Sequence, residues 1–303
     1  MRYRPFGATG KAVSAVSLLL REAPNLNTPQ AWRIMAFAAM ENGINCFELT
    51  AGLDVMALGI GEALRSVERR LMFLTWRLRG DGSHTLTAEM IAASVRGGLQ
   101  RTGAIYFDLL TMDEVAYESM DEGAHAYLAD LRSAGLCLQI GIVGDGPMVD
   151  ACIKLGTFDV LVTPFDLTSD WQARRRVRDA SDRNMTIVAC DPFPAAQIRA
   201  AGGGSGSSIQ RGGNSLLKRS ASDPLAGAGT YAFLHQTSNW TAEEVCLAYL
   251  LTEPTFASIQ VEAFRADSLS RYAGVADRDL PTGVAAQIEM ARFSQVSGDR
   301  RRA

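Results

Sequence analysis

The sequence has little lysine and little histidine, and it contains no long apolar run. Only three lysines and three histidines stand among its 303 residues, so chemistry that needs an ammonium or an imidazole has few candidates. No apolar run approaches the roughly 20 residues that span a bilayer, and the opening MRYRPFGATG lacks the apolar centre of a secretory signal. The net charge of −3 excludes a global basic field of the kind that attracts nucleic acid. We therefore expect a cytoplasmic protein that has neither a nucleic acid nor a membrane as partner.

The five cysteines are odd in number and widely spaced, and no two form a Cys-x-x-Cys pair. Three of them, Cys46, Cys137 and Cys190, stand within apolar runs that are typical of strands. Disulfide frameworks and zinc sites favour even numbers or close pairs. The pattern predicts buried free thiols in a reducing compartment, in preference to metal or redox chemistry.

Short apolar strands alternate with amphipathic helices along most of the chain. The predicted strands cover residues 13–20, 44–49, 70–76, 105–112, 136–143, 158–163, 185–190 and 256–261. Apolar strands that are each followed by a helix indicate a parallel sheet with both faces covered. Eight strands favour a closed barrel, and the absence of Gly-x-Gly-x-x-Gly after any strand disfavours an open dinucleotide-binding sheet. The sequence thus predicts an α/β protein whose residues 1–303 form a single (β/α)8 TIM-barrel domain.

One stretch departs from this alternation. Residues 201–215, AGGGSGSSIQRGGNS, are rich in glycine and serine and are predicted to form a flexible loop. Such a loop after the seventh strand could cover a pocket, or it could be an insertion without a task. The final GDRRRA is predicted to be a frayed tail.

Several segments together carry a family resemblance. They are YRPFGATGKAVSAVSL, GINCFELTA, YFDLL, AGLCLQIGI, FDVLVTPFDL, IVACDPFP and VCLAYLLTEPTFASIQV. Each motif is weak by itself, but their order and spacing over residues 3–290 resemble the aldo-keto reductases. The resemblance implies a TIM barrel of aldo-keto reductase type and an NADP-dependent oxidoreductase that reduces carbonyl groups.

The residues that this family uses for catalysis are all substituted. In the family a tyrosine donates a proton, a lysine lowers its pKa, an aspartate pairs with the lysine, and a histidine orients the substrate. The resemblance places these roles on Leu53, Trp76, Glu48 and Asp113, respectively. Leu53 has no proton to give, and Trp76 has no charge with which to tune a neighbour. Glu48 replaces the aspartate only where a cation remains nearby, and Asp113 bears a negative charge in place of a donor. No catalytic residue is therefore assigned.

The positions that the resemblance gives to the cofactor are altered as well. They are Val143, Gly144 and Val162 for the nicotinamide amide, Cys190 for the stacking tyrosine, Asp191 for the pyrophosphate, and Glu262 and Phe264 for the adenosine phosphate, with Arg265 as a substitute cation. A carboxylate at position 191 repels a pyrophosphate. NADP(H) is therefore expected only if divergent loops shift these assignments.

The combined substitutions favour a degenerate aldo-keto-reductase-like protein, a pseudoenzyme that keeps the barrel and acts as a binding or regulatory protein. The alternative is an NAD(P)H-dependent oxidoreductase with a re-wired active site, because fold does not fix function. A mouth lined by Leu53, Trp76, Leu19 and Leu20 would be apolar, which suggests a small apolar ligand or a protein partner.

A different enzyme on the same face is a further hypothesis. Glu48, Asp113 and Asp191 are expected to converge there, and with His84 they could form an oxygen-rich metal site. The competing interpretation, which we favour, is that these carboxylates are solvated rim charges, and no metal ligand is assigned. Their expected partners are then Arg77, Arg79 and Arg265.

Overall fold

The protein is described by a computed structural model that covers residues 1–195 and 231–299. Its strands are β1 (Tyr3–Pro5), β2 (Ala12–Ser14), β3 (Val16–Leu19), β4 (Cys46–Thr50), β5 (Phe73–Leu78), β6 (Phe107–Asp113), β7 (Cys137–Val143), β8 (Val160–Pro164), β9 (Thr186–Cys190) and β10 (Phe256–Glu262). Strands β3 to β10 are joined in parallel and close into a barrel, with β10 beside both β9 and β3. The predicted (β/α)8 barrel is confirmed.

Helices surround this barrel. They are α1 (Pro29–Glu41), α2 (Asp54–Leu64), α3 (Ala88–Thr102), α4 (Glu114–Glu118), α5 (Glu122–Ser133), α6 (Pro147–Leu155), α7 (Trp171–Asp182), α8 (Ala242–Leu251), α9 (Ala266–Val275) and α10 (Val284–Asp299). Side-chain oxygens set several of their first turns, because the first backbone N–H groups of a helix lack partners within it. Thr28 accepts from the Ala31 amide at 3.2 Å with proline at the next position, and Thr241 forms a capping box with Glu244.

The strand ends differ from the predicted ones by a few residues, and two differences matter. The predicted strand 13–20 is two elements, because β2 pairs antiparallel with β1 and only β3 joins the barrel. The predicted strand 70–76 begins at Phe73, because residues 69–71 form a 3-10 turn, and it continues to Leu78. Strand β5 therefore includes Arg77 within its regular alternation of side chains.

An apolar cluster fills much of the barrel interior, which we call the lumen. Phe6 and Val13 of the β1–β2 hairpin enter it from the N-terminal end, where the Phe6 and Phe73 rings lie 4.2 Å apart. Its other members are Cys46, Leu109, Val143, Val160, Val162, Val188, Cys190 and Ala257. The hairpin thus closes one end of the barrel, which leaves the C-terminal strand ends as the open face.

A buried ion cluster fastens the hairpin loop to the base of the barrel. Asp108 is 1% exposed, and its carboxylate contacts Lys11 and accepts from Arg69 Nη2 at 2.8 Å. The backbone N–H of Leu74 also donates to it, at 2.8 Å. Because two cations and an amide share one buried carboxylate, this cluster links the hairpin, the 3-10 turn and β5.

Three further expectations can be compared with the structure. All five cysteines are free and buried, as predicted. The Gly/Ser-rich segment 201–215 lies outside the described residues, as do the last four residues of the predicted tail, while α10 extends through Asp299. Within the described ranges, every helix is too short or too polar to span a bilayer.

Candidate functional site

An ion pair lies inside the barrel near the C-terminal ends of β4 and β5. Glu48 is 3% exposed and contacts the guanidinium of Arg77, whose side chain is 12% exposed. The Nε2 of Gln260, on β10, donates to Glu48 Oε2 at 3.1 Å. The Arg77 Nε contact lacks hydrogen-bond geometry, and Arg77 Nη2 has no hydrogen-bond partner within the described ranges. Because buried charges persist in proteins only when they are paired, each of these two residues depends on the other.

The expectation that Trp76 lines the barrel mouth is wrong. Its ring stacks on Phe107 at 5.2 Å between centroids, and its Nε1 donates to Ser94 Oγ of α3 at 3.1 Å. It also packs closely on Gly98 of the same helix. Successive side chains of a strand point to opposite faces, so the outward tryptophan leaves Arg77 as the residue that enters the lumen. The motif match had placed the family's lysine on Trp76, one residue before the cation that enters the lumen.

The leucines expected at the mouth are divided between different surroundings. Leu19 faces the mouth, whereas Leu20 belongs to the outer core between strands and helices. Leu53 precedes the first residue of α2, where it is half-buried beside Pro24 and Trp32 in a groove of about 560 Å³. The predicted apolar mouth is therefore wrong, since Trp76 and Leu20 face outward and Arg77 and Glu48 face inward.

Asp113 and its neighbour Glu114 have structural partners. Asp113 caps α4 by accepting from the Ala116 amide at 2.8 Å, as an N-cap aspartate does. Glu114 accepts from the backbone N–H groups of Asp145 at 3.0 Å and of residue 146 at 2.8 Å. A Cβ at Gly144 would lie 2.2 Å from Glu114 Oε1. The loop after β7 thus wraps around a carboxylate, and a side chain at position 144 would have to displace the end of Glu114 and adopt a φ of 148°.

The three carboxylates that were expected to converge have separate partners. Glu48 is paired with Arg77, Asp113 caps a helix, and Asp191 lies next to the Cys190 thiol at 3.8 Å. No group of three or more His, Cys, Asp or Glu side chains within residues 1–195 and 231–299 could hold a metal ion. The predicted convergence is therefore wrong for Asp113, which caps a helix, whereas the charges of Glu48 and Asp191 both act on the Cys190 thiol. The competing interpretation is correct in giving Glu48 the partner Arg77, but that pair is buried and not a solvated rim pair.

His84 belongs to an exposed loop and has a partner of its own. Its Nδ1 lies 2.6 Å from Asp81 Oδ2, and Asp81 also accepts from the backbone N–H groups of Ser83 and His84. These hydrogen bonds, that of the imidazole first, lower the pKa of Asp81 to about 2. The two side chains therefore form a local loop motif and do not complete the mouth.

A small pocket lies at the C-terminal ends of β3, β9 and β10, and we call it the mouth pocket. Its volume is about 200 Å³, and its walls are Leu19, Cys190, Asp191, Pro192, Phe193, Gln260 and Glu262. Asp191 has a positive φ of 51°, a left-handed conformation in which aspartate is enriched among non-glycine residues. The Glu262 carboxylate pairs with Arg21 Nε at 2.8 Å. Three of the positions that the resemblance gave to the cofactor thus line this one pocket.

Burial governs the ionisation of two groups on these walls. It raises the pKa of Cys190, and the negative charge of Asp191 raises it further, so the thiol stays protonated and unreactive at neutral pH. Burial also raises the pKa of Glu262, with Asp191 acting in the same direction and Arg21 opposing it. Desolvation by burial is the leading cause of both shifts.

The last expected cofactor contacts lie on the outer side of β10. Phe264 is partly exposed, and its backbone carbonyl accepts from Asn25 Nδ2 at 2.7 Å. Arg265 precedes α9, and its exposed guanidinium pairs loosely with Asp267 at 3.5 Å. The guanidinium of Arg265 is therefore exposed to solvent and does not form part of a defined binding site.

The sequence interpretation missed two residues of the mouth. Gln260 lies in the middle of the last strand, and Arg21 follows β3, just beyond the predicted strand 13–20. The alternation Ser258, Gln260, Glu262 in β10 is the signal that could have identified the first. No comparable signal marks Arg21, because it lies in a loop.

Comparison with known proteins agrees with the fold. A family model described as "Aldo/keto reductase family" matches residues 21–292. The chain therefore belongs to the aldo/keto reductase family. It is similar in structure to aldo-keto reductase AKR11C1 from Bacillus halodurans in the holo form, with 17% identity, a TM-score of 0.72 and 96% of each chain covered. It is also similar to a thermostable aldo-keto reductase, Tm1743, solved with the inhibitor epalrestat. There the identity is 18%, the TM-score 0.71, and the match covers 97% of this chain and 99% of that one. No curated protein matches the sequence.

Members of this family generally bind NADP(H), but the residues at this mouth do not fit that cofactor. Gly144 has no side chain with which to hold the nicotinamide amide, and Val162 is a buried apolar residue of the lumen. At positions 190 and 191 a neutral thiol and a carboxylate stand where a stacking ring and a phosphate ligand are expected. A carboxylate beside a pyrophosphate is repulsive.

Proposed function

We propose that this member of the aldo/keto reductase family is a pseudoenzyme that binds a ligand at the barrel mouth and does not reduce carbonyls by the family mechanism. The observation that supports it is the leucine at position 53, where the resemblance places the proton donor. The Glu48–Arg77 pair provides the carboxylate and the cation that accompany this donor in the family, yet residue 53 has no hydroxyl. A cation can lower the pKa of a phenol only where a phenol is present.

The tyrosines of the chain lie elsewhere, so none of them can replace the missing donor. Tyr3 donates to the backbone carbonyl of Gly43, and Tyr106 contacts Lys11 at the base of the barrel. Tyr249 and Tyr272 bond to carboxylates on neighbouring helices. The other three, Tyr117, Tyr127 and Tyr231, lie in α4, in α5 and in the cluster around α8.

A titration with NADPH and NADP⁺, combined with a carbonyl-reduction assay, tests the proposal. We expect no binding at concentrations up to about 1 mM, which corresponds to a binding free energy weaker than about −4 kcal/mol. We also expect no NADPH oxidation with aldehydes or ketones. Micromolar binding together with turnover would refute the proposal.

The variant Leu53→Tyr sharpens this test. We expect no carbonyl reduction from it, because the thiol of Cys190 and the carboxylate of Asp191 leave the cofactor walls unsuitable for NADP(H). Leu58→Tyr, at an exposed position of the same helix, is the matched control for any effect of adding a tyrosine to α2. NADPH-dependent turnover in Leu53→Tyr but not in Leu58→Tyr would show that the reductive machinery is intact apart from one hydroxyl.

A second candidate is an NAD(P)H-dependent oxidoreductase with a re-wired site. The observation that favours it is that the Glu48–Arg77 pair preserves the charges of the family's aspartate–lysine pair. In that case NADPH binds and turnover is lost in Arg77→Met. The NADPH titration distinguishes the two candidates, because the first requires no binding and the second requires it.

We propose that the protein functions in the cytoplasm. Five free thiols in one chain are typical of a reducing compartment. The ligand is proposed to be a small molecule, because the mouth pocket is only about 200 Å³ in volume.

A further inference from the structure

The walls of the mouth pocket contain a buried acceptor that has no partner. Gln260 is 5% exposed, and its Nε2 is directed to the Glu48 carboxylate, which can only accept. The amide orientation is therefore fixed, and Oε1 is the free end of the side chain. That atom is buried and has no hydrogen-bond partner in the described parts of the chain. A buried acceptor without a donor is costly, so this atom favours a ligand that donates.

The charged groups of the walls are acceptors as well. Asp191 and Glu262 are the two carboxylates of the pocket, and the Cys190 thiol, a weak donor, already donates to Asp191. The nearby guanidinium groups are those of Arg21 and Arg77, which are paired with Glu262 and Glu48, respectively, and neither is a wall of the pocket. Together with Glu48, which lies behind the walls, the pocket region thus holds three carboxylates and two guanidinium groups. The net charge of these five side chains is one negative charge.

The apolar walls complete the description of the ligand. Leu19 and Pro192 provide aliphatic surface, and Phe193 provides an aromatic ring that packs on Tyr272 at 5.3 Å between centroids. An apolar body with one donor-rich, positively charged end matches such walls. A primary ammonium has three donors and no acceptor, and the pocket offers it Gln260 Oε1 and two carboxylates.

The geometry points to a small primary alkylammonium as the ligand of the mouth pocket, with its charged end at Gln260, Asp191 and Glu262 and its chain against Leu19 and Phe193. This inference rests on the proposed function, because the resemblance gives positions 190, 191 and 262 to the cofactor. The pocket can hold another ligand only where NADP(H) is absent.

Calorimetric titration of the full chain with n-butylammonium at pH 7.5 tests the ligand class. The matched probes are n-butanol, which has the same chain without charge, and butyrate, which has the opposite charge. We expect saturable binding of butylammonium, with affinity for each of the other two lower by about tenfold or more, since hydrogen bonds to a charged group are the stronger ones. Equal binding of the three probes, tighter binding of butyrate, or no binding of butylammonium up to about 10 mM would overturn the inference.

Three variants locate the binding. Asp191→Asn keeps a residue that tolerates the positive φ, Glu262→Gln keeps the shape of the side chain, and Gln260→Met removes the free acceptor. Each should weaken butylammonium binding about tenfold or more. Asp267→Asn, an exposed carboxylate on α9, is the control and should leave the affinity unchanged. Gln260→Met also loses the hydrogen bond to Glu48. If this variant does not fold, Asp191→Asn and Glu262→Gln decide the outcome. Equal affinity in both of them and in the control would overturn the inference.

The failure of this inference is distinguishable from the failure of the proposed function. If neither NADPH nor butylammonium binds, the ligand class is wrong and the proposed function stands. If NADPH binds and is oxidised by a carbonyl substrate, the proposed function is wrong, and the inference fails with it.

Discussion

The buried pair of Glu48 and Arg77 supplies a prediction that is quantitative and specific to this structure. Glu48→Gln leaves a guanidinium that is 12% exposed without its counter-charge, and Arg77→Met leaves a carboxylate that is 3% exposed with one amide partner. Breaking a buried pair from one side costs about 3–5 kcal/mol of unfolding free energy, because the remaining charge is desolvated and unpaired.

The double variant should recover much of that loss. Replacing both members of a buried pair by uncharged residues is often close to neutral. We therefore expect the double variant Glu48→Gln/Arg77→Met to be more stable than the sum of the single effects by about 2 kcal/mol or more. With an unfolding entropy of about 2.1 cal/mol/K per residue over 303 residues, each single variant should lower Tm by roughly 5–8 °C.

Urea unfolding followed by circular dichroism measures these free energies. The control is Glu62→Gln, which removes one member of an exposed pair with Arg33 at 3.8 Å and should change stability by less than about 0.5 kcal/mol. If the Glu48 and Arg77 effects add within about 0.5 kcal/mol, the two side chains do not interact as the structure places them. The same result would remove the observation that favours the second candidate, the re-wired oxidoreductase.

Three other predictions concern stability, titration and reactivity. Asp108→Ala should lower the unfolding free energy by about 3 kcal/mol or more, because Lys11 and Arg69 lose a shared buried carboxylate, and urea unfolding would show a smaller effect if the cluster were not formed. The Asp81 carboxyl should titrate at about pH 2 by NMR; its pKa is lowered on folding, so its contribution to stability is present above about pH 3.8 and is lost as the pH falls through about 2. In His84→Ala the pKa of Asp81 should rise, and an unchanged value would contradict the assigned cause. The native protein should react slowly with a thiol reagent and expose five equivalents only in denaturant, because all the thiols are buried and the pKa of Cys190 is raised; one rapidly reacting equivalent would contradict this placement.

Local pattern determined a large part of this protein. The alternation of apolar runs with amphipathic helices predicted the barrel, since only a closed or doubly covered parallel sheet buries such strands on both faces. Composition predicted buried free thiols, and the order of the motifs led to the family. The absence of tyrosine between Tyr3 and Tyr106 also needed no structure, because it is read directly from the sequence.

Only the tertiary structure decided which side chains face the mouth. The side chains of a strand alternate between its faces, so an error of one residue in β5 exchanged Trp76 for Arg77 and turned a charged mouth into an apolar one. Sequence could not show that Glu114 fills the space beside Gly144, because that contact joins the first residue of α4 to the loop after β7. Gln260 meets Glu48 across 212 positions of sequence, and only closure of the barrel brings them together.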